Sequence, residues 1–294
     1  MKFGAFIITF ERTEILQTTI KKLLSQTYPP EKILVVDNSI TTTTKQYFEN
    51  NKSELIEYYY MGYNSGPAGA AEFALQYLSN SGFDWIFWGD DDDPPSDNGV
   101  FETLLKLATH NDNVGIVGSL GGKFIESRAR TRGFYNKELN GIVDADFVAG
   151  GKMMIVNSEV VKKNVLPTKK LFFGFEELDF CLRIKDAGFR IIFDGEKIKE
   201  LRRRDGNEAP NYKWKGKSFG NKELLWRNYY STRNMLYILK NRKIYDGYIF
   251  FLFKSIIKIP VSYKYGFNYG ISATKVYIKS IWHHLKGTYG FQKK

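Results

Sequence analysis

One cysteine, Cys181, stands in 294 residues. That scarcity excludes an intramolecular disulfide framework and any metal site built from several thiolates. The thiol lies in Leu178-Asp179-Phe180-Cys181-Leu182-Arg183, where a buried helix position is expected rather than a nucleophile. Residues 248–259 (YIFFLFKSIIKI) are too short and too interrupted by lysine to cross a bilayer, which takes about 20 apolar residues. No secretory leader is evident, because Met1-Lys2-Phe3-Gly4 runs straight into a strand-like segment, and a cytoplasmic location is the expectation. Internal repeats are absent, and Thr41–Thr44 reads as an exposed loop. Acids are scarce at one end. Of 43 basic and 32 acidic residues, eleven and one lie between Lys240 and Lys294, so that stretch carries +10 and residues 1–239 only +1. A nearly neutral body with a basic tail argues for two roles on one chain and against a nucleic-acid-binding body.

What is present suffices for a packed core: 43% of residues are hydrophobic and 16% aromatic, unlike a disordered chain. Residues 5–10 (AFIITF) and 33–36 (ILVV) read as strands, with helical spacing of Ile15, Ile20, Leu23 and Leu24 between them. The alternation continues with a helix over 68–78, a strand over 85–88, a helix over 99–108, and strands over 115–118 and 152–156. A helix over 176–187 stops at Gly188, a left-handed cap candidate, before a strand over 190–193. This order predicts an α/β fold, a mainly parallel Rossmann-like sheet with helices on both faces. The polar segment 205–220 is taken as the way out of the sheet. The expected division is a catalytic domain over 1–210 and a helical, basic-aromatic extension over 211–294, whose helix over 224–239 mixes Trp226, Tyr229, Tyr230, Arg233 and Tyr237.

The densest chemistry is at Asp90-Asp91-Asp92-Asp93, directly behind Trp85-Ile86-Phe87-Trp88. Adjacent carboxylates at a strand end repel and call for a cation, and their hard oxygens suit Mg²⁺ or Mn²⁺ shared with a substrate phosphate. In open α/β sheets ligands bind beyond the carboxyl ends of strands. Asp37 ends another strand, as a hydrogen-bond acceptor for a base or ribose or as a turn cap. Asn64-Ser65-Gly66-Pro67-Ala68-Gly69 is a Gly-rich entry to a helix that permits close backbone approach to a ligand, without phosphate-loop or dinucleotide-fingerprint spacing. Ala149-Gly150-Gly151 fits an acceptor sugar against backbone, or a bulge. In Phe172-Phe173-Gly174-Phe175-Glu176-Glu177, two acids open a helix behind three aromatics. A partly dry pocket there raises a carboxyl pKa towards the range of a general base.

Together, TFER at 9–12, VVDN at 35–38, NSGPAGA at 64–70, GDDDDPP at 89–95, the Gly-Gly turn at 150–151 and FEELDFCLR at 175–183 resemble glycosyltransferase family 2, and most of all its bacterial galactofuranosyl- and rhamnosyl-transferase branch. The resemblance covers about the first 200 residues. It implies a GT-A fold and inverting transfer from a UDP- or dTDP-sugar to a glycan or lipid-linked acceptor in cell-surface polysaccharide synthesis. Thr9, Glu11, Asp37 and Asp90 would line the nucleoside, with Asn64, Gly66, Gly69 and Asp91 completing the nucleotide-sugar site. Asp92, with Asp90 or Asp91, would hold Mn²⁺ or Mg²⁺. Glu177 takes the place of the catalytic carboxylate, with Glu176 as substitute, and Trp88, Gly150, Gly151 and Phe173 would face the acceptor. Where the family often has a metal-binding histidine, this chain reads Lys199-Glu200-Leu201-Arg202-Arg203-Arg204. An extra water on the metal, or direct contact of Arg202, Arg203 or Arg204 with the diphosphate, would replace it.

A prenyl-synthase-like aspartate site would sit on helices, whereas this cluster follows a strand. A non-catalytic carbohydrate- or nucleic-acid-binding protein using the tail is the competing class. Within the tail, Lys275, Lys279, His283 and Lys286 share one helical face and Ile278, Ile281, Trp282 and Leu285 the other. That pattern predicts a helix lying on a membrane surface, with packing or homo-oligomer formation as the alternative.

Overall fold

The computed structural model describes residues 1–148, 153–204 and 220–292. The expected acceptor glycines Gly150 and Gly151, and the segment 205–219, lie outside the described residues. The first half alternates as the apolar periodicity requires: β1 Phe3–Thr9, α1 Thr13–Leu24, β2 Lys32–Asp37, α2 Thr43–Asn50, β3 Ile56–Tyr60, α3 Gly66–Asn80, β4 Trp85–Asp90, α4 Val100–Thr109 and β5 Val114–Gly118. Then come β6 Gly121–Ile125, β7 Arg130–Gly133, β8 Ile142–Asp144, β9 Phe147–Val148, β10 Met154–Asn157, α5 Ser158–Lys162, α6 Glu176–Asp186, β11 Arg190–Asp194 and α7 Gly195–Arg204. Three longer helices close the chain: α8 Leu225–Asn241, α9 Tyr245–Ser262 and α10 Phe267–Leu285.

Eight strands form one sheet in the order β3-β2-β1-β4-β10-β5-β11-β8. β1 to β4 run parallel, β10 is antiparallel to both β4 and β5, and β8 is antiparallel to β11. Successive strand side chains point to opposite faces, and here both faces are covered. Phe6 and Ile8 of β1, Leu34 and Val36 of β2, and Trp88 of β4 pack beneath α3 and α6. Ala5, Ile7, Ile33, Val35 and Phe87 face α1 and α4 instead. Cys181 is buried on α6, as expected.

α2, β3 and the helices α5 and α7 escaped the periodicity. The threonine run leads directly into α2, which buries only Thr44 and Phe48, too few for an apolar repeat. β3 is an edge strand of half-buried tyrosines. Residues 121–148 also hold more order than a plain loop, in the antiparallel sheet β7-β6-β9.

α8 and α9 do not stand apart from the sheet. Met235, Leu236, Ile238, Leu239 and Phe251 share a core with Phe124 of β6 and Leu178 and Leu182 of α6. The extension is thereby packed on the helix that carries the Glu176-Glu177 pair.

Candidate active site

The carboxyl ends of β1, β2 and β4 lie side by side because these strands pair in parallel, Thr9 opposite Asp37 and Ile8 opposite Asp90. Thr9 Oγ1 donates to Asp91 Oδ2 at 2.7 Å, and Thr19 Oγ1 donates to the Asp91 carbonyl at 2.6 Å. Arg12 forks between neighbours, with Nη2 2.5 Å from Asp91 Oδ1 and Nη1 2.5 Å from Asp92 Oδ2. Asp91 is therefore a buried anchor of the strand end, and Asp92 is the exposed member. Asp90 lies between. Its carboxyl is pushed up to about 7, first by burial and then by the charges of Glu177, Asp91, Asp92 and Asp93.

α6 packs across from β4, with the Phe180 ring 6.0 Å from that of Trp88. Burial pushes the Glu177 carboxyl up. Glu176 is pushed well above the ordinary range by burial, by Glu177 and by Asp90. Among the described residues its Oε2 has no hydrogen-bond partner, and the residue is 3% exposed. Three carboxyls with raised proton affinity thus converge from β4 and α6, and only Glu177 of the α6 pair keeps partial exposure. The like charges assemble because α6 begins where the 172–175 loop delivers it, not because they attract.

Several expected ligand contacts turn out to tie loops together. Asp37 is fully buried, accepting from Ser39 N at 2.8 Å and from the Tyr58 hydroxyl at 2.7 Å. Of its two readings, the turn cap is the one seen. Glu11 has φ +57° and accepts from Ile40 N at 2.8 Å and Thr41 N at 2.9 Å, joining the ends of β1 and β2. Asn64 Oδ1 accepts from Gly66 N at 2.9 Å, while Asn38 bonds both to Ser65 and to the Gly66 carbonyl.

Three expectations need correction. Gly66 does not leave room for a ligand: at φ +69°, a Cβ there would lie 2.3 Å from the Phe172 carbonyl oxygen. Gly69 is closed in likewise, its Cβ position 2.8 Å from Ser65 Cβ. Gly66 brings α3 against Phe172, and Gly69 packs on Ser65 at the start of the same helix. Trp88 does not face an acceptor. A central strand turns it inward, 7% exposed, between Phe6 and Phe180.

Phe173 remains partly exposed, its ring 4.7 Å from that of Trp226 and 5.8 Å from the Arg227 guanidinium. Arg202 donates to the Phe134 carbonyl at 2.8 Å and to Asn136 Oδ1 at 2.6 Å, committing it to the 134–136 turn. Arg203 and Arg204 are exposed at the end of α7.

Residues 5–163, more than half of the chain, match Glycosyl transferase family 2. The chain belongs to that family. It is 36% identical over 110 residues to galactofuranosyltransferase GlfT1 of Mycolicibacterium smegmatis, covering 36% of this chain and 35% of that protein, so it spans about a third of the length of this curated relative. Its fold is similar to that of a mannosyltransferase from Pyrobaculum calidifontis, solved with GDP-Man and Mn²⁺, at a TM-score of 0.54, 11% identity, and coverage of 97% of this chain and 75% of that one. It is also similar to GalNAc-T7, solved with UDP, GalNAc and Mn²⁺, at a TM-score of 0.54 and 14% identity, covering 66% of this chain and 42% of that one. The architecture of this family 2 chain is GT-A-like, with a C-terminal helical region.

Among the described residues no group of three or more His, Cys, Asp or Glu side chains is arranged to hold a metal. Mg²⁺ and similar hard ions are commonly bound through one or two carboxylates plus substrate phosphates. Asp90, whose neighbouring charges raise its proton affinity, and Asp92, exposed beside it, fit an ion of that kind. Arg12, quoted in the sequence only as part of TFER and given no role there, bridges Asp91 and Asp92. It follows the β1 strand end and carries a basic side chain, a signal visible in retrospect.

Proposed function

We propose that this family 2 enzyme catalyses inverting transfer of a sugar, galactofuranose or rhamnose before others, from a UDP- or dTDP-sugar to a glycan or lipid-linked acceptor. The observation that carries the reading is the acidic carboxyl end of β4 with α6, which opens on Glu176 and Glu177, packed across from that strand through Phe180 on Trp88. The galactofuranosyltransferase similarity supports the choice of sugar. Glu177 is the group able to meet an acceptor, because it is partly exposed while Glu176 is buried. It withdraws the hydroxyl proton as the oxygen attacks the anomeric carbon from the face opposite the diphosphate. Buried Glu176 holds its proton and keeps a second negative charge from crowding the base. Asp90 and Asp92 would hold Mn²⁺ or Mg²⁺, which when bound neutralises the departing diphosphate. Arg12 adds positive charge at the same edge. The purified protein, given UDP-galactofuranose or dTDP-rhamnose, Mn²⁺ and a galactofuranoside acceptor, yields a product of inverted anomeric configuration by NMR. A product of retained configuration sinks the mechanism.

The C-terminal helices support a second part of this reading, attachment to an anionic membrane surface that presents the acceptor, peripheral on the cytoplasmic side. No described helix is long and apolar enough to cross a membrane. Ile249, Phe253, Ile256 and Ile257 on α9 and Ile278, Trp282 and Leu285 on α10 are exposed. Lys275, Lys279 and Lys286 accompany them at the surface. Each lysine near such a surface adds about 1 kcal/mol. In flotation with phosphatidylserine-containing vesicles at low salt the protein rises with the lipid, and Phe253→Asp with Trp282→Asp keeps it at the bottom. Point changes are preferable to truncation, since Gly290 N donates to the Lys170 carbonyl at 2.7 Å beside the active-site loop. A parent protein that stays at the bottom, or that sediments as a dimer through these faces, overturns the membrane reading.

A further inference from the structure

The segment that delivers Glu176 and Glu177 is held in an unfavourable backbone conformation. Phe172 has φ +65°, Gly174 +80° and Phe175 +67°. Only glycine takes such angles without steric cost, so the two phenylalanines stay there only if their surroundings over-determine them. The surroundings that do so come from about 60 residues further along the chain. Asn234 of α8 is fully buried, and its Nδ2 donates to the carbonyls of Leu171 at 2.9 Å, Phe173 at 2.9 Å and Gly174 at 2.8 Å. Arg233, equally buried, donates from Nη2 to the Leu171 carbonyl at 3.0 Å, from Nη1 to the Gly290 carbonyl at 3.1 Å, and from Nε to Asn234 Oδ1 at 3.1 Å. Its guanidinium lies 5.3, 5.0 and 5.3 Å from the ring centres of Tyr229, Tyr230 and Tyr289.

A buried guanidinium whose partners are carbonyls, an amide, a hydroxyl and aromatic faces is an expensive way to fill a core. It is well suited to gathering carbonyl oxygens that would otherwise turn towards water. Two consecutive residues of one helix therefore collect three carbonyls, those of Leu171, Phe173 and Gly174, from the stretch leading into α6. On the opposite side the Phe172 carbonyl packs on Gly66 and accepts from Ala68 N at 3.3 Å. The loop is clasped between α3 of the sheet domain and α8 of the extension.

We propose that Arg233 and Asn234 are positioning residues for the Glu176-Glu177 pair: they act through the 171–175 carbonyls to fix where α6 begins. The helical extension is then part of the active-site scaffold. This rests on the reading of Glu177 as the base. The test is Asn234→Asp, similar in size but accepting where the native side chain donates, with Asn234→Ser as a second variant that keeps one donor. Turnover of Asn234→Asp falls about 10- to 100-fold, the scale of an ångström-level misplacement. Donor KM stays within about twofold, as expected when only the transition-state geometry is lost. Hydrogen exchange rises in peptides covering 169–178 and not in β1 or β4, and Asn234→Ser falls between the two proteins in both readouts. A merely structural role lowers the melting temperature while leaving turnover per folded molecule and loop exchange at parental values, and that result overturns the proposal. If Asn234→Asp does not fold, Asn234→Ser carries both readouts alone. If the parent protein transfers no sugar, the mechanism fails separately, and loop exchange still decides whether Asn234 holds the segment.

Discussion

Glu177→Gln lowers turnover about 10²- to 10⁴-fold while donor binding is retained, the range expected for loss of a general base. The change is nearly isosteric, and the amide cannot accept the acceptor's proton. It also removes the charge that raises the proton affinity of Asp90 and Glu176, so the neighbours ionise more easily and the cluster is not loosened. The parent's acid limb in kcat lies above the ordinary carboxylate range, because burial raises the Glu177 pKa and the base works only when deprotonated. Falling pH therefore silences the parent earlier than an unperturbed glutamate would. Single-turnover kinetics with titration of the donor by calorimetry separates chemistry from binding. Near-parental turnover in the variant moves the role to Glu176 or removes it.

Asp92→Asn weakens nucleotide-sugar binding by about 10- to 150-fold, the equivalent of the roughly 1.5–3 kcal/mol that interactions of charged groups are worth. The fold tolerates the change. Asp92 is exposed, while Asp91 keeps both Thr9 and Arg12 and continues to anchor the strand end. Excess chelator on the parent protein reproduces the loss, and added Mn²⁺ restores the parent alone. Full activity of the parent in chelator instead assigns the diphosphate's counter-charge to arginine. Arg203→Ala, at an exposed position near the end of α7, would then be the severe variant.

The clusters that read clearly in the sequence are those whose placement is local. An aspartate run behind a buried strand has to emerge at that strand's carboxyl end, and two glutamates behind a glycine-rich aromatic turn have to open a helix. Edge elements were hidden for the opposite reason: α2 and β3 bury little, so they leave almost no periodic trace. Gly66, Gly69 and Trp88 were misplaced because a small residue or an aromatic near a strand end has the same appearance whether it faces a ligand or another part of the chain. Burial against Phe172 and Phe180 decides for Gly66 and Trp88, and both contacts depend on packing between separate segments, whereas Gly69 is closed in by Ser65 at the start of its own helix.

Taken alone, the sequence determined the alternating architecture, the acidic strand end, the glutamate pair and the uneven charge of the tail, since each depends on residues within a few positions of one another. Tertiary structure decided which of those groups are free to act. Asp37, Asp91 and Glu11 bind the loops of the strand ends, Asp92 is exposed but paired with Arg12, and Asp90 and Glu177 keep partial exposure with raised proton affinity. It also brought Arg233 and Asn234 to the carbonyls of 171–174. No local pattern encodes that contact, because a backbone carbonyl is the same at every position until folding brings a donor to it.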